Sequence, residues 1–171
     1  MTTSIRPATI EDAPAIAKIH VQTWQCAYRD HLPAEYLDEM SIEKKTKGWQ
    51  QGLSDPNHEQ TAFVIEKEGE VVGWATIGPN RDPDYGSETG ELCGLYVDSS
   101  HQRLGLGRQL LEHCLKELKN DGYIQATLWV LTTNEPSKKF YEKNGWQKEG
   151  KIKDEYKDGI NLAQTRYILS L

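Results

Sequence analysis

A chain of 171 residues is long enough for one domain with a sizeable core and no need of disulfide or metal staples. Twenty basic against 26 acidic side chains leave a formal charge of −6, which excludes nucleic-acid or anionic-lipid binding through a global positive field. No apolar run approaches the ~18 residues of a membrane span, and Met1-Thr2-Thr3-Ser4-Ile5-Arg6 lacks a signal peptide's basic-then-apolar order, so the expectation is a soluble, cytoplasmic protein.

Ile5-Arg6-Pro7-Ala8 reads as a short extended opening. Thr9 or Glu11-Asp12 then starts a helix of about five turns, with apolar positions at Ile16, Ile19, Trp24 and Ala27. Pro33 opens a second helical stretch through Met40. Ser41 begins a third, which Gly52 and Ser54-Asp55-Pro56-Asn57 stop. Thr61–Glu66 and Glu70–Ile77 are β-rich runs around Lys67-Glu68-Gly69, the pattern of an antiparallel hairpin. A polar loop runs from Pro79 to Thr89, and its acids Asp82, Asp84 and Glu88 could draw in a cationic ligand.

Leu92–Val97 reads as a strand, Gly105–Asp121 as a helix and Ile124–Val130 as a second strand. This order is a βαβ unit, so the two strands should be parallel. Asn134-Glu135-Pro136 caps a short helix that Asn144-Gly145 ends, and Trp146–Lys153 with Ile160–Leu169 forms a hairpin turned near Asp158-Gly159. Cys26, Cys93 and Cys114 are odd in number, far apart and set in apolar segments, which predicts buried thiols. Neither they nor the five histidines have metal-ligand spacing.

Chemistry concentrates in Gln102-Arg103-Leu104-Gly105-Leu106-Gly107-Arg108. Two glycines lie where a loop leaves a strand and enters a helix, a junction that offers free N–H groups, the positive end of the helix dipole and no Cβ to hold an anion away. The Walker form lacks its Gly-Lys-Ser/Thr, and the dinucleotide form has Leu110 where a third small residue belongs. Kinase and dehydrogenase readings therefore lose their support.

As Q/R-x-x-G-x-G/A after a Leu-Tyr-Val strand, this segment resembles the pyrophosphate loop of the GCN5-related N-acetyltransferases. The likeness extends to Ile5–Ala8, the Trp24–Tyr28 helix face, Glu91–Val97 and Asn134–Trp146, so it spans residues 3–171 as one N-acetyltransferase domain. The resemblance implies an α/β fold with a mixed, mostly antiparallel sheet, one parallel βαβ pair and flanking helices. It implies acetyl-CoA as cosubstrate, no metal, a primary amine on a small and cationic molecule or a peptide as acceptor, and a homodimer as one assembly state. The competing class is a non-catalytic CoA-binding sensor.

Carried over residue by residue, the resemblance assigns Leu95, Tyr96 and Val97 to the pantetheine arm through their backbone. It assigns N–H groups of Gln102, Arg103, Leu104, Gly105, Leu106, Gly107 and Arg108 to the pyrophosphate. Asn134 and Ser137 are cofactor contacts, Asn134 being a helix N-cap on any reading, and Lys138 stands beside them. Tyr141 matches the general acid for the departing thiolate, its alternative being a packing tyrosine. An alkyl ammonium with pKa about 10.4 is only about 0.1% neutral near pH 7.4, so a base is needed, and Glu91 is the candidate. Gly94 inside the strand predicts a bulge that would aim an N–H at the thioester carbonyl, and the side to which Glu91 faces depends on that bulge. His20, Trp24 and Tyr28 share one helix face on the acceptor side.

Overall fold

The computed structural model describes residues 2–157 and 159–171. Strand β1 (Thr3–Pro7) leads through one 3-10 turn into α1 (Ala13–Ala27), which buries Ala13, Ile16, Ala17 and Val21 along one side. Helices α2 (Ala34–Asp38) and α3 (Ile42–Ser54) follow, and the Ser41 hydroxyl caps α3 by accepting the Lys44 N–H at 3.2 Å. The predicted hairpin is β2 (Thr61–Lys67) and β3 (Glu70–Pro79). Its two-residue turn places Glu68 at φ 54° and Gly69 at φ 86°, the left-handed pair that matches the strands' twist.

The βαβ unit is β4 (Thr89–Val97), α4 (Leu106–Asn120) and β5 (Gln125–Leu131). After α5 (Glu135–Lys143) the chain continues through β6 (Gln147–Lys153), β7 (Tyr156–Lys157), β8 (Ile160–Asn161) and β9 (Gln164–Ser170). Seven strands form one sheet in the order β1-β2-β3-β4-β5-β9-β6, antiparallel throughout except for the parallel β4–β5 pair. This is the mixed α/β architecture expected from the sequence.

Strand alternation divides the apolar residues between the two sheet faces. Phe63, Ile65, Ala75, Ile77 and Leu92 pack with Leu106, Leu110, Leu111 and Leu118 of α4 and with Tyr141 and Trp146 at α5. On the other face Val64 and Trp74 meet Ile16 and Ile19 of α1. The chain is thus a sheet between α4/α5 and the helical first third.

The last predicted hairpin is more complicated than expected. β6 and β9 pair, but Ile160–Leu169 is not one strand: β7 and β8 form a separate two-stranded ribbon. The cause is Leu162, which is buried with Tyr28, Leu32, Leu37 and Leu131 and so draws the chain off the sheet. Of the predicted Asp158-Gly159 turn, Asp158 lies outside the described residues.

The junction of β1 and α1 is fixed by charge. The Asp12 carboxylate accepts Arg6 Nη1 and Nη2 at 2.8 and 2.9 Å and the Thr9 N–H at 2.7 Å, while Arg6 also reaches Glu66 on β2. The Arg6 hydrogen bonds, against the opposing effect of burial, hold the Asp12 carboxyl below the usual range. A group whose pKa is depressed on folding stabilises above its unfolded value, near 3.9, and loses that contribution as pH falls through the lower folded value. Asp12→Asn is expected to lower stability by about 1–3 kcal/mol at pH 7. In urea unfolding across pH, the gap between variant and wild type should narrow below about pH 4.

Candidate active site

β4 and β5 pair only from Thr89/Gln125 to Leu92/Leu128, after which their registered contact ends. Beyond that point β4 stays with β3 to Val97 and β5 stays with β9 to Leu131, so the two strands part within the sheet. The gap is a cleft of about 160 Å³ lined by Leu92 to Tyr96, Leu128 to Leu131 and, from α1 and α5, Trp24, Tyr28, Asn134, Ser137 and Tyr141. In the splayed segments, the edges of β4 and β5 that face each other have no ladder partner.

A β-bulge accompanies the parting. Thr76 pairs with Gly94 and Ile77 with Leu92, so Cys93 is the extra residue, one position before the glycine expected there. Parity settles around it: Leu92 and Leu95 pack toward α4, whereas a Cβ on Gly94 would lie 3.2 Å from the Trp74 ring on the α1 face. Gly94 therefore serves close packing against Trp74. Glu91 lies on that same α1 face, opposite Gly78 and beside Thr127. It is 1% exposed, and its carboxylate accepts the Arg81 Nε at 3.0 Å, the Arg81 Nη2 and the Arg81 backbone N–H at 3.2 Å.

Cys93 lines the cleft, half-buried. Burial first, then the Glu91 charge, push its thiol up to about 12, which keeps it protonated and unreactive near neutral pH. Of the other thiols, Cys114 is buried as expected but Cys26 is exposed, because its position on α1 falls outside the stripe that meets the sheet.

The glycine loop follows the end of β4 and leads into α4. Arg103 has φ 63° and Gly105 φ 77°, and a Cβ on Gly105 would meet nothing within 4 Å, so the glycine is required by the backbone and opens to solvent. No side chain caps α4, and its first-turn N–H groups at Leu106, Gly107 and Arg108 have no intrahelical acceptor. Gln102 through Gly105 are exposed, and the Arg108 side chain is engaged with Glu112 at 2.8 Å.

On the α5 side of the cleft is Tyr141. Its ring packs beside Phe140 and Trp146 and borders the cleft, and burial raises the phenol above its ordinary value of 10, with Tyr96 and Tyr28 adding to the effect. It is a neutral proton donor at physiological pH. Asn134 caps α5 by accepting the Ser137 N–H at 3.2 Å and donates to the Tyr28 hydroxyl at 2.7 Å, joining α5 to the end of α1 across the cleft. Lys138 turns away: its Nζ donates to Thr132 O at 3.1 Å and pairs with Glu135.

On the α1 side, His20 stacks against Trp24, Trp74 and Tyr96 with ring centroids 5.4–6.0 Å apart, and Trp24 Nε1 donates to the Tyr96 hydroxyl at 3.2 Å. Burial, with Lys45 and Lys157 nearby, lowers the imidazole to about 4, so it is neutral at pH 7. This aromatic wall borders a larger cavity of about 1100 Å³.

Sequence reasoning missed the group that holds the polar loop. Arg166, 1% exposed in mid-strand, donates to both Asp84 oxygens at 2.8 and 2.6 Å, to both Glu149 oxygens at 2.9 Å and to Asp82 at 3.2 Å. It also lies over the Tyr85 and Trp129 rings. Two of the three loop acids expected to attract a cation, Asp82 and Asp84, are thus bound to one already inside the protein, while Glu88 is exposed, and Arg166 holds Asp84 well below the usual carboxylate range. An arginine at the centre of Thr165–Ile168 was the available signal.

The comparisons agree with this geometry. The family model of the GNAT acetyltransferases matches residues 15–146. The chain belongs to the GNAT acetyltransferase family. The uncharacterized N-acetyltransferase YuaI of Bacillus subtilis is 33% identical over 140 residues, covering 81% of this chain and 77% of the relative. Phosphinothricin N-acetyltransferase of Streptomyces viridochromogenes is 30% identical over 154 residues, 87% of this chain and 76% of the relative. Among solved structures, the PaiA N-acetyltransferase of Thermoplasma acidophilum in complex with coenzyme A superposes over the full length of both chains with a TM-score of 0.77 at 21% identity. This GNAT protein is accordingly an acyltransferase of the N-acetyltransferase class. Among the described residues no helix is long and apolar enough to cross a membrane, and no three His, Cys, Asp or Glu side chains gather as a metal site.

Asn134→Ala removes both the cap and the Tyr28 bridge. It is expected to lower stability by about 0.5–2 kcal/mol in urea unfolding, with Asn134→Ser recovering the part due to the cap.

Proposed function

We propose that the protein transfers the acetyl group of acetyl-CoA to the amine of a small molecule by direct attack. The observation that carries this reading is the parting of β4 from β5, with a buried neutral tyrosine on the wall of the gap and an uncapped helix N-terminus after β4. Free strand edge suits the amide-bearing pantetheine arm, and free N–H groups beside a positive dipole suit a pyrophosphate. The bound cosubstrate supplies an activated thioester.

In this reading the backbone of Leu95, Tyr96 and Val97 orients the arm as an added strand. Gln102 to Arg108 hold the pyrophosphate through N–H groups, with the Arg103 side chain free to follow. Asn134 and Ser137 shape the wall opposite β4. Gly94, just past the bulge, lets its backbone approach the reacting carbonyl, where negative charge develops. Tyr141 donates its proton to the departing thiolate. The high pKa of Cys93 argues against an acyl-enzyme on that sulfur.

Glu91 shares a sheet face with Gly94 and takes the amine proton through water, with Arg81 fixing the carboxylate. A relative named for phosphinothricin supports a small-molecule acceptor.

Tyr141→Phe should lower kcat by about 10²–10⁴-fold in a thiol-release assay while the calorimetric Kd for acetyl-CoA stays near wild type. Unchanged turnover removes Tyr141 from the mechanism. Binding of acetyl-CoA without turnover of any amine favours the sensor reading.

A further inference from the structure

The cavity beside the cleft has a charge pattern that the family assignment does not explain. It lies between α1, α3 and the β7–β8 ribbon, and Trp24 and Gln164 belong to its wall and to that of the cleft, so the two spaces adjoin. Thr76, paired in register with Gly94, also lines it, which brings it up to the bulge where the acetyl group would lie. At about 1100 Å³ it exceeds the 300–1,000 Å³ usual for small ligands.

Three lysines line this space, Lys44, Lys45 and Lys157, and the charges of the last two act on each other. Lys45 lies on the half-buried side of α3 with Trp49 and Gly52, and Lys157 comes from the ribbon opposite. Among the described residues neither has an ion pair, although other lysines of the chain do. Burial and the Lys157 charge both lower the Lys45 pKa, and both ammonium charges reach His20. The carboxylates of the cavity wall do not answer them. Glu155 accepts from Gln164 Nε2 at 2.6 Å, Asp55 accepts from the Asn57 N–H at 2.9 Å, and exposed Glu39 pairs with neither lysine.

Holding two ammonium groups together while one is half removed from water is unfavourable, and an anion between them relieves both penalties. A neutral aromatic wall beside them makes the contact stronger by excluding water. We propose that Lys45 and Lys157 form an acid-binding subsite, so that the acceptor is an amino acid: its amine points toward Gly94 and its carboxylate sits between the two lysines. A polyamine, favoured by net charge alone, would bring a second cation against them.

The proposal rests on the acetyltransferase reading, and the test separates the two. Free amino acids are compared with their own α-carboxamides, and with spermidine, in a thiol-release assay with acetyl-CoA. The acids should exceed their carboxamides in kcat/KM by about 10–100-fold, the value of a charge-assisted contact. Lys45→Met and Lys157→Met should each lower that ratio mainly through KM, and Lys45→Arg should keep it high, with melting temperatures confirming that the variants fold. A ratio near one, a preference for spermidine, turnover of none of the acids, or a ratio unmoved by Lys45→Met overturns the subsite. Failure of acetyl-CoA to bind the wild type in calorimetry overturns the acetyltransferase reading itself.

Discussion

The structure turns on the point where β4 and β5 stop pairing. Up to Leu92 and Leu128 they are ordinary parallel neighbours. Beyond it each strand is committed elsewhere, β4 to β3 across a bulge and β5 to β9 in unbroken register. An unpaired backbone edge in a protein interior is unfavourable, so a fold that keeps one has a ligand to fill it or water to satisfy it. The rest of the site is arranged around this gap. α4 leaves β4 with its N–H groups uncapped, α5 brings Tyr141 to the wall opposite β4, and Asn134 ties α5 to Tyr28 of the first helical segment.

Charge is used conservatively around this gap. The protein is acidic overall, yet the acids nearest the sheet are bound to arginines: Asp12 to Arg6, Glu91 to Arg81, and Asp82, Asp84 and Glu149 to Arg166. The Arg166 group is the largest of these. It pins the 82–85 loop to β9 and to the edge strand β6, and Asp82 also accepts the Trp129 N–H at 2.9 Å, holding a residue that borders the cleft. Net charge was therefore a poor guide to the ligand. The side chains left without partners around the neighbouring cavity include two lysines, opposite in sign to the chain as a whole.

Much of the fold was legible because local rules and tertiary needs coincide. The α4 stripe of Leu106, Leu110, Leu111, Cys114 and Leu118 has the helical period and is its buried side, and Lys67-Glu68-Gly69 predicted a hairpin, whose turn takes two left-handed residues. Gly105 announced its role because a free helix N-terminus after a positive φ needs that residue. Other features have no local signature. Cys93 rather than Gly94 is the bulged residue, since any residue can take that conformation and only the Thr76–Ile77 register decides it. The break between β8 and β9 depends on Leu162 finding Tyr28 and Leu37, far away in sequence. Asp82 and Asp84 looked free because their partner lies some 80 positions later. At the site, Tyr141 and the glycine loop were legible through resemblance, whereas the ion pair that fixes Glu91 was not.

Hydrogen exchange with and without acetyl-CoA tests the central claim most directly, because the claim concerns backbone groups. Added acetyl-CoA should protect amides of Cys93–Val97 and Gln102–Arg108 while leaving the outer β1–β2 hairpin unchanged. Protection that spares both segments, or that falls evenly over the whole sheet, would contradict the assignment of the β4–β5 gap as the cosubstrate site.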